Sequence, residues 1–344
     1  MAYTTIDKPS DYFNTILWTG NDTDNRIISG VGFSPNWSWI KARNNSDQHY
    51  LVDTVRGSTK VIFSDSTSSE QTRVSAVKAF YQEGYILGQE AQVNRNGGTF
   101  VSWNWKAGTS FTNDASSTGV GSIDSAGSVS TDAGFSIVAW NGNDGTIAHG
   151  LGVKPAMIII KSRQTSNNWV VFHKGLGTMS AASNSILILN GTAAKDDPGA
   201  GFAEPTTSVF TIKGGAAAND NNIGYLFAEK QGYSKFGSYT GNGNANGPFI
   251  YTGFKPAFFI IKRTDATSDW FLWDNKRGAI NEITARIVPN ENAAEGSASM
   301  DFVSNGIKFR NDAAGRNASG GTYIYMAFAE NPFVTSTGIP ATAR

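Results

Sequence analysis

Three stretches of the chain repeat one plan. GFSPNWSWIKAR (32–43), GVKPAMIIIKSR (152–163) and GFKPAFFIIKR (253–263) align on Pro35, Pro155 and Pro256. Six residues after each proline stand Lys41, Lys161 and Lys262, and fourteen after stand His49, Trp169 and Trp270. Gly57, Gly177 and Gly278 follow at twenty-two, and no gap is needed in between. Upstream, an aromatic precedes a turn in each copy: Trp18 in WTGND, Trp140 in WNGND and Tyr239 in YTGNG. Downstream, each copy ends in an aromatic-rich segment: FVSWNWK (100–106), IGYLFAEK (223–230) and YIYMAFAEN (323–331). A period of roughly 100 to 120 residues is too long for a solenoid unit and suits a small domain with its own core. The boundaries expected are 1–113 for the first repeat, 134–231 for the second and 232–344 for the third with a C-terminal tail. Between the first two, residues 114–133 are rich in Gly, Ser and Thr and read as a linker or an exposed hairpin.

The segments inside each repeat read as strands. In the second copy FSIVAWNGN, AMIIIKSR, NWVVFHKG, NSILILNG, SVFTIKGG and IGYLFAEK are short β-branched or aromatic runs bounded by Gly and Asn. Six such strands per hundred residues describe a sandwich, so the expected fold is all-β, three tandem jelly-roll-like β-sandwich domains. Pro155 starts a strand where a missing N–H costs little. The continuous apolar run after it predicts burial on both faces, and its Lys and Arg mark the exit into solvent. By the same reading Lys41, Lys161 and Lys262 are solvated strand ends, and Trp169 and Trp270 fill one core layer. SEQTRVSAVKAFYQEG (69–84) is the one helix candidate, with Val74, Val77 and Tyr81 at helical spacing.

Bulk properties exclude several functions. The 28 basic residues balance the 28 acidic ones and no Lys/Arg run occurs, which argues against the basic face that nucleic acid requires without forbidding a local patch. It contains no cysteine, which removes disulfides and thiolate metal sites and fits assembly in a reducing cytoplasm. Neither a signal core nor an 18-residue apolar run occurs, so no membrane insertion or Sec export is expected. The three histidines, His49, His149 and His173, show no metal-site spacing, and His149 reads as an exposed turn residue. No nucleophile elbow, Walker loop or dinucleotide fingerprint is present. A glycosidase carboxylate pair from distant strands stays open, but no repeated acid suggests one. GNDTDN (20–25), GNDGT (142–146) and AANDNNIG (217–224) offer oxygen ligands for calcium, which stays open, but none matches an EF-hand loop and Asn and Asp also serve simple turns, the favoured reading. Cofactors are therefore expected to be absent, and the chain is expected not to be an enzyme.

Two features point toward binding. Trp18, Trp140 and Tyr239 stand beside Gly/Asn turns, and rings beside amides suit sugars: the apolar face stacks and the amides bond the hydroxyls. Asp53 with Arg56, and Asp274 with Arg277, lie three apart before a glycine, while the second copy has His173 and Leu176 there. Each pair either fixes its turn by a charge-assisted bond or lines a glycan site.

YFNTILWTGND, GFSPNWSWIKAR, FVSWNWKAG and the closing YMAFAENPFVTSTGIPATAR resemble a group of bacteriophage virion proteins, cyanophage proteins among them, of the tail-fibre-like kind. The resemblance spans the chain. It implies a β-rich particle component without catalytic residues, located in the virion after assembly in the host cytoplasm. Its partners would be other virion proteins, copies of itself (a trimer above all) and host-surface glycan. Long fibres carry an anchoring domain or a shaft, and none is evident here, so a short fibre, a tail-attached adhesin or a capsid decoration or head-fibre protein is expected. The first repeat, with most of the tryptophans and the helix candidate, would be the docking end. A surface glycan-binding or glycan-degrading module is the third reading.

Overall fold

The computed structural model describes residues 3–177, 185–196, 202–213, 217–278 and 280–341. Asn184 and the Gly214–Gly215 pair, which bound two of the expected strands, lie outside these, as do the last three residues of the closing phrase.

The first repeat forms β1 (Phe13–Thr19), β2 (Arg26–Ile28), β3 (Trp37–Ala42), β4 (Tyr50–Asp53), β5 (Lys60–Val61), β6 (Gln71–Thr72), β7 (Val77–Tyr81), β8 (Gly84–Leu87) and β9 (Thr99–Trp105). A hairpin follows, β10 (Thr109–Asn113) and β11 (Ser125–Ser130). The second repeat holds β12 (Phe135–Asn141), β13 (Gly145–Ala148), β14 (Met157–Ser162), β15 (Val170–His173), β16 (Leu187–Ile188), β17 (Phe202–Ala203), β18 (Val209–Ile212) and β19 (Asn221–Phe227). The third holds β20 (Ser234–Thr240), β21 (Phe249–Tyr251), β22 (Phe254–Arg263), β23 (Trp270–Asp274), β24 (Ile283–Arg286), β25 (Gly296–Val303), β26 (Gly306–Phe309) and β27 (Thr322–Pro332).

The fold is all-β and sandwich-like, and the three copies share one topology. The main sheets run β1-β9-β3-β4, β12-β19-β14-β15 and β20-β27-β22-β23, all antiparallel. The second residue after each repeated proline meets the same partner: Trp37 opposite Trp105, Met157 opposite Phe227, Phe258 opposite Phe328. A smaller sheet faces each main one: β2-β8-β7, β13-β18-β17 and β21-β26-β25-β24.

Strand alternation explains the continuous apolar runs. Ile158 and Ile160 of β14 face a core belonging to the second repeat, while Met157 and Ile159 face a larger core built from all three repeats. All six residues of β14 are buried. The first and third repeats do the same: Ile40 and Val52 pack in one private core, and Phe259 and Trp273 in another. The common core collects Trp37, Trp39, Trp103 and Trp105 with Phe135, Tyr225 and Phe227 and with Phe258 and Phe328. At its centre the equivalent residues Trp105, Phe227 and Phe328 form a triangle, with ring centroids 6.4, 6.0 and 5.8 Å apart. The expectation that each copy closes only around its own interior is thus corrected. The three sandwiches surround a pseudo-threefold axis and share the core on it.

Three further expectations are corrected. Residues 69–84 form strands, not a helix: β7 pairs β8 as a hairpin, with Val77 buried while Val74 and Tyr81 are 64% and 44% exposed. Val77 instead packs in the private core of the first repeat, beside Tyr85 and Leu87 of the same small sheet. Of the two readings of residues 114–133, the linker fails and the hairpin holds. These residues carry a short helix, Ala115–Thr118, and β11, which pairs β12 along its whole length; with β10 beyond it and β16 at the other edge the second main sheet has seven strands. Lys41, Lys161 and Lys262 are not solvated. They are fully buried, on the strand face that looks toward the common core.

Candidate functional site

The residues expected to meet a sugar turn inward. Trp18 is 9% exposed, stacks on Phe100 at 5.4 Å and donates its Nε1–H to Val93 O at 3.0 Å. Trp140 is 4% exposed and packs against Phe210 in the second private core. Tyr239 stacks on Tyr323 at 4.7 Å and donates to Arg316 O at 2.7 Å. Trp18 and Trp140 fill sandwich interiors, and Tyr239, half-buried, packs against the third. The turns beside them are locked by buried asparagines that sequence reasoning missed. Asn94 donates to Thr23 O and Gly88 O and accepts from Asn21 N, and Asn317 donates to Asn244 O and Asn311 O and accepts from Asn242 N. Asn222 does the same work in the second copy, donating to Gly142 O and Ala218 O. The Asn/Asp stretches weighed as calcium ligands therefore hold turns, and Asp220 accepts from Ser162 Oγ at 3.0 Å. Among the described residues, no three His, Asp or Glu side chains converge as a metal cluster.

Asp53, Arg56, Asp274 and Arg277 are also buried. Each aspartate caps its turn with Oδ1, which accepts from the arginine's backbone N–H, and binds the arginine Nε–H with Oδ2 at 2.6 Å. What the sequence could not show is the reach of each pair into the neighbouring repeat. Tyr225 of the second repeat donates its hydroxyl to Asp53 Oδ2 at 2.7 Å, and Trp103 of the first donates Nε1–H to Asp274 Oδ2 at 2.9 Å. His173 takes the equivalent place in the second repeat and bonds Tyr325 O of the third at 3.0 Å.

Other contacts run round the ring in the opposite sense. Trp169 donates to Phe63 O, Trp270 to Ile188 O, and His49 Nε2 bonds Val288 O, at 2.8, 2.8 and 3.1 Å. Glu70 N–H donates to Arg163 O, Lys195 N–H to Thr264 O and Glu295 N–H to Arg43 O. Two of these three seams are charged. Arg163 grips Glu70 with two bonds of 2.9 and 3.0 Å while Arg56 reaches the same carboxylate at 3.2 Å. Arg43 and Arg277 hold Glu295 in the same way. Burial pushes the Glu70 carboxyl up, but Arg163 and Arg56 outweigh it and hold it below its ordinary value. In the third seam Leu176, Lys195 and Thr264 replace Arg, Glu and Arg together, and Lys262 Nζ donates across to Thr192 O at 3.0 Å. The charged set is present or absent as a whole, because one member alone would leave a buried charge unpaired.

The buried lysines serve the turns after their strands. Lys41 Nζ donates to Ala42 O and Asn45 O, Lys161 to Ser162 O and Thr165 O, and Lys262 to Arg263 O and Ser268 O. Burial pulls all three ammonium groups down to about 8. His149 is no exposed turn residue either. It is buried, its Nδ1 accepts from Leu151 N–H, and burial pulls it down to about 4.

Among the surface clefts of the described residues, two lie beside aromatic side chains. One, of about 440 Å³, lies between the β10–β11 hairpin and the second repeat, beside Trp140, Asn141, Arg163 and Asn221. Its arginine is committed to Glu70. The other, of about 500 Å³, lies where the N-terminal segment and the second and third repeats meet, lined by Tyr3, Lys174, Glu229, Lys235 and Tyr251. Tyr251 is 54% exposed. Glu229 accepts from Lys174 and, at 2.6 Å, from Lys235. Burial pushes Glu229 up, and the two lysines outweigh it and hold it low. Its lining combines two tyrosines with the charged cluster of Lys174, Glu229 and Lys235.

No curated protein matches the sequence. Residues 8–332 match the family described as a domain of unknown function, DUF7483, a span that takes in all three repeats and both joins, and the chain belongs to that family.

Proposed function

We propose that the chain is a non-enzymatic structural protein of a bacteriophage virion, tail-fibre-like or attached to the tail, that contacts host-surface glycan. The supporting observation is how the interior polar groups are used. Asp53, Asp274, His49 and His173 all bridge neighbouring repeats, so the groups that could do chemistry hold a closed ring together. Such a body resists deformation and carries its recognition on surface clefts, as a particle component must. Partners in this reading are other virion proteins and further copies of the chain, with the trimer tested by mass in solution. Immunogold electron microscopy of intact particles tests the assignment: label at the tail is expected, and unlabelled particles overturn it. A head-decoration role is the second reading, favoured by one observation: three equivalent units about one axis suit a mount on a local threefold of a shell. Label on the capsid would select it.

A further inference from the structure

The cleft at Tyr3 and Tyr251 is built rather than incidental. Tyr251 and Phe249 alternate with buried Ile250 on β21, so both rings stand on the outer face of that strand. The Tyr3 hydroxyl donates to Gly253 O at 2.5 Å and sits against the Tyr251 hydroxyl; burial and that neighbour push the Tyr3 phenol up to about 12. Gly253 has φ +80°, which favours glycine, and a Cβ there would lie 2.7 Å from the Tyr3 hydroxyl. Thr4 Oγ1 donates to Gln231 O at 2.8 Å and ties the N-terminal segment to the second-to-third repeat join that lines the same cleft.

The charged part of the lining carries an excess of donors. Each ammonium has three N–H groups, and Lys174 and Lys235 each direct one to Glu229. Two cations to one carboxylate leave a local positive charge, with spare donors on side chains that are 42% and 37% exposed. A small inorganic anion would use the lysines and ignore the rings. A neutral sugar would use the rings and leave the charge uncompensated. A ring with an apolar face and a carboxylate matches both parts of the lining.

We infer that this cleft is a saccharide-binding site for acidic sugars of the hexuronate type, with Tyr251 as the stacking platform and Lys174 and Lys235 as donors to the sugar carboxylate. The inference rests on the adhesion reading above and gives it a ligand class. Isothermal titration of the full chain with an oligogalacturonate, a maltooligosaccharide of the same length and an acidic tetrapeptide tests it. The oligogalacturonate is expected to bind at least about tenfold tighter than either comparison ligand, and its affinity is expected to fall as salt rises. Tyr251→Ala and, separately, Lys174→Gln with Lys235→Gln are each expected to weaken it about tenfold or more. Phe249→Ala, outside the cleft, is expected to leave it unchanged. Unfolding midpoints matched to the parent show that Tyr251→Ala, at an exposed ring, keeps the fold. No uronate binding at millimolar ligand, equal binding of the neutral sugar, equal or better binding of the peptide, or a Tyr251→Ala variant that binds like the parent would overturn the proposal. Particles without label overturn the virion assignment and leave this titration to be judged alone; labelled particles with no uronate binding overturn the cleft alone.

Discussion

Asp274 shows what a single residue can hold. It caps its own turn, pairs with Arg277 and accepts from Trp103 of another repeat, all without solvent. Asp274→Ala leaves Arg277 buried beside Glu295 alone and Trp103 Nε1 without an acceptor, so it is expected to cost on the order of 3–5 kcal/mol in denaturant unfolding. At the equivalent site the second repeat carries His173 and Leu176. Asp53→His made together with Arg56→Leu is therefore expected to cost less than Asp53→Ala alone. An equal or larger cost for the pair would show that the apolar seam does not transfer. The same burial sets the pH response. His149 and His173 are held at about 4 by burial against an ordinary 6.5, and burial also holds His49 well below that ordinary value. The unfolded chain then binds more protons between those values, so stability present above pH 6.5 is lost as pH falls toward 4, by at most about 1.4 kcal/mol per histidine per pH unit. Asp65, raised to about 6 by burial, opposes this with one group against three. At the alkaline end Lys41, Lys161 and Lys262, lowered to about 8, add stability between 8 and 10.5. Unfolding midpoints at pH 4.5, 6.5, 8 and 9.5 that fail to rise in sequence would contradict the assignment. The Asp–Arg spacing was legible in sequence because it is local. The partners were not, since Tyr225 and Trp103 lie more than 150 positions away and nothing in their own segments marks them.

At the scale of elements, the β10–β11 hairpin was the hardest to read. Its strands bury little apolar area, so composition resembles a linker. What holds β11 is a backbone ladder to β12 and close approach by small residues. Gly127 lies so near β12 that a Cβ would fall 2.0 Å from Ile137 O, with the Phe111 ring at 2.8 Å. Gly127→Val is therefore expected to detach or distort the hairpin, and backbone amides 125–130, slow to exchange with deuterium in the parent, are expected to exchange fast in the variant. Fast exchange of these amides in the parent would return the segment to a linker. The hairpin covers the β12 edge, whose equivalents in the other repeats are β1 and β20. The helix expected over 69–84 failed for a related reason. Spacing alone allowed it, but the hairpin β7–β8 needed an aromatic and β-branched strand to complete the small sheet. Long apolar strands such as β14 and β22 were legible from their runs, and their registers on the repeated prolines match across the copies.

For the whole molecule the deciding fact is that every main sheet is buried on both faces, once within its own sandwich and once on the axis. The repeated prolines announced three copies, but nothing in one copy's pattern distinguishes a face buried privately from one buried against the others. A continuous run such as AMIIIK is compatible with both, and only the assembled triangle of Trp105, Phe227 and Phe328 separates them. The consequence is thermodynamic. A repeat cut from its neighbours would expose a face like that of Met157, Ile159, Tyr225 and Phe227, which native monomers rarely leave open. It would also leave Trp169 Nε1 and His173 Nε2 without their partners Phe63 O and Tyr325 O. Residues 107–231 expressed alone, with their hairpin, are thus expected to be unstable or to self-associate through that face, whereas the intact chain is expected to unfold in one cooperative transition. Calorimetry of the full chain and of the fragment checks both. Three separable transitions, or a monomeric fragment as stable as the parent, would mean that the axial core contributes little and that the sandwiches stand independently.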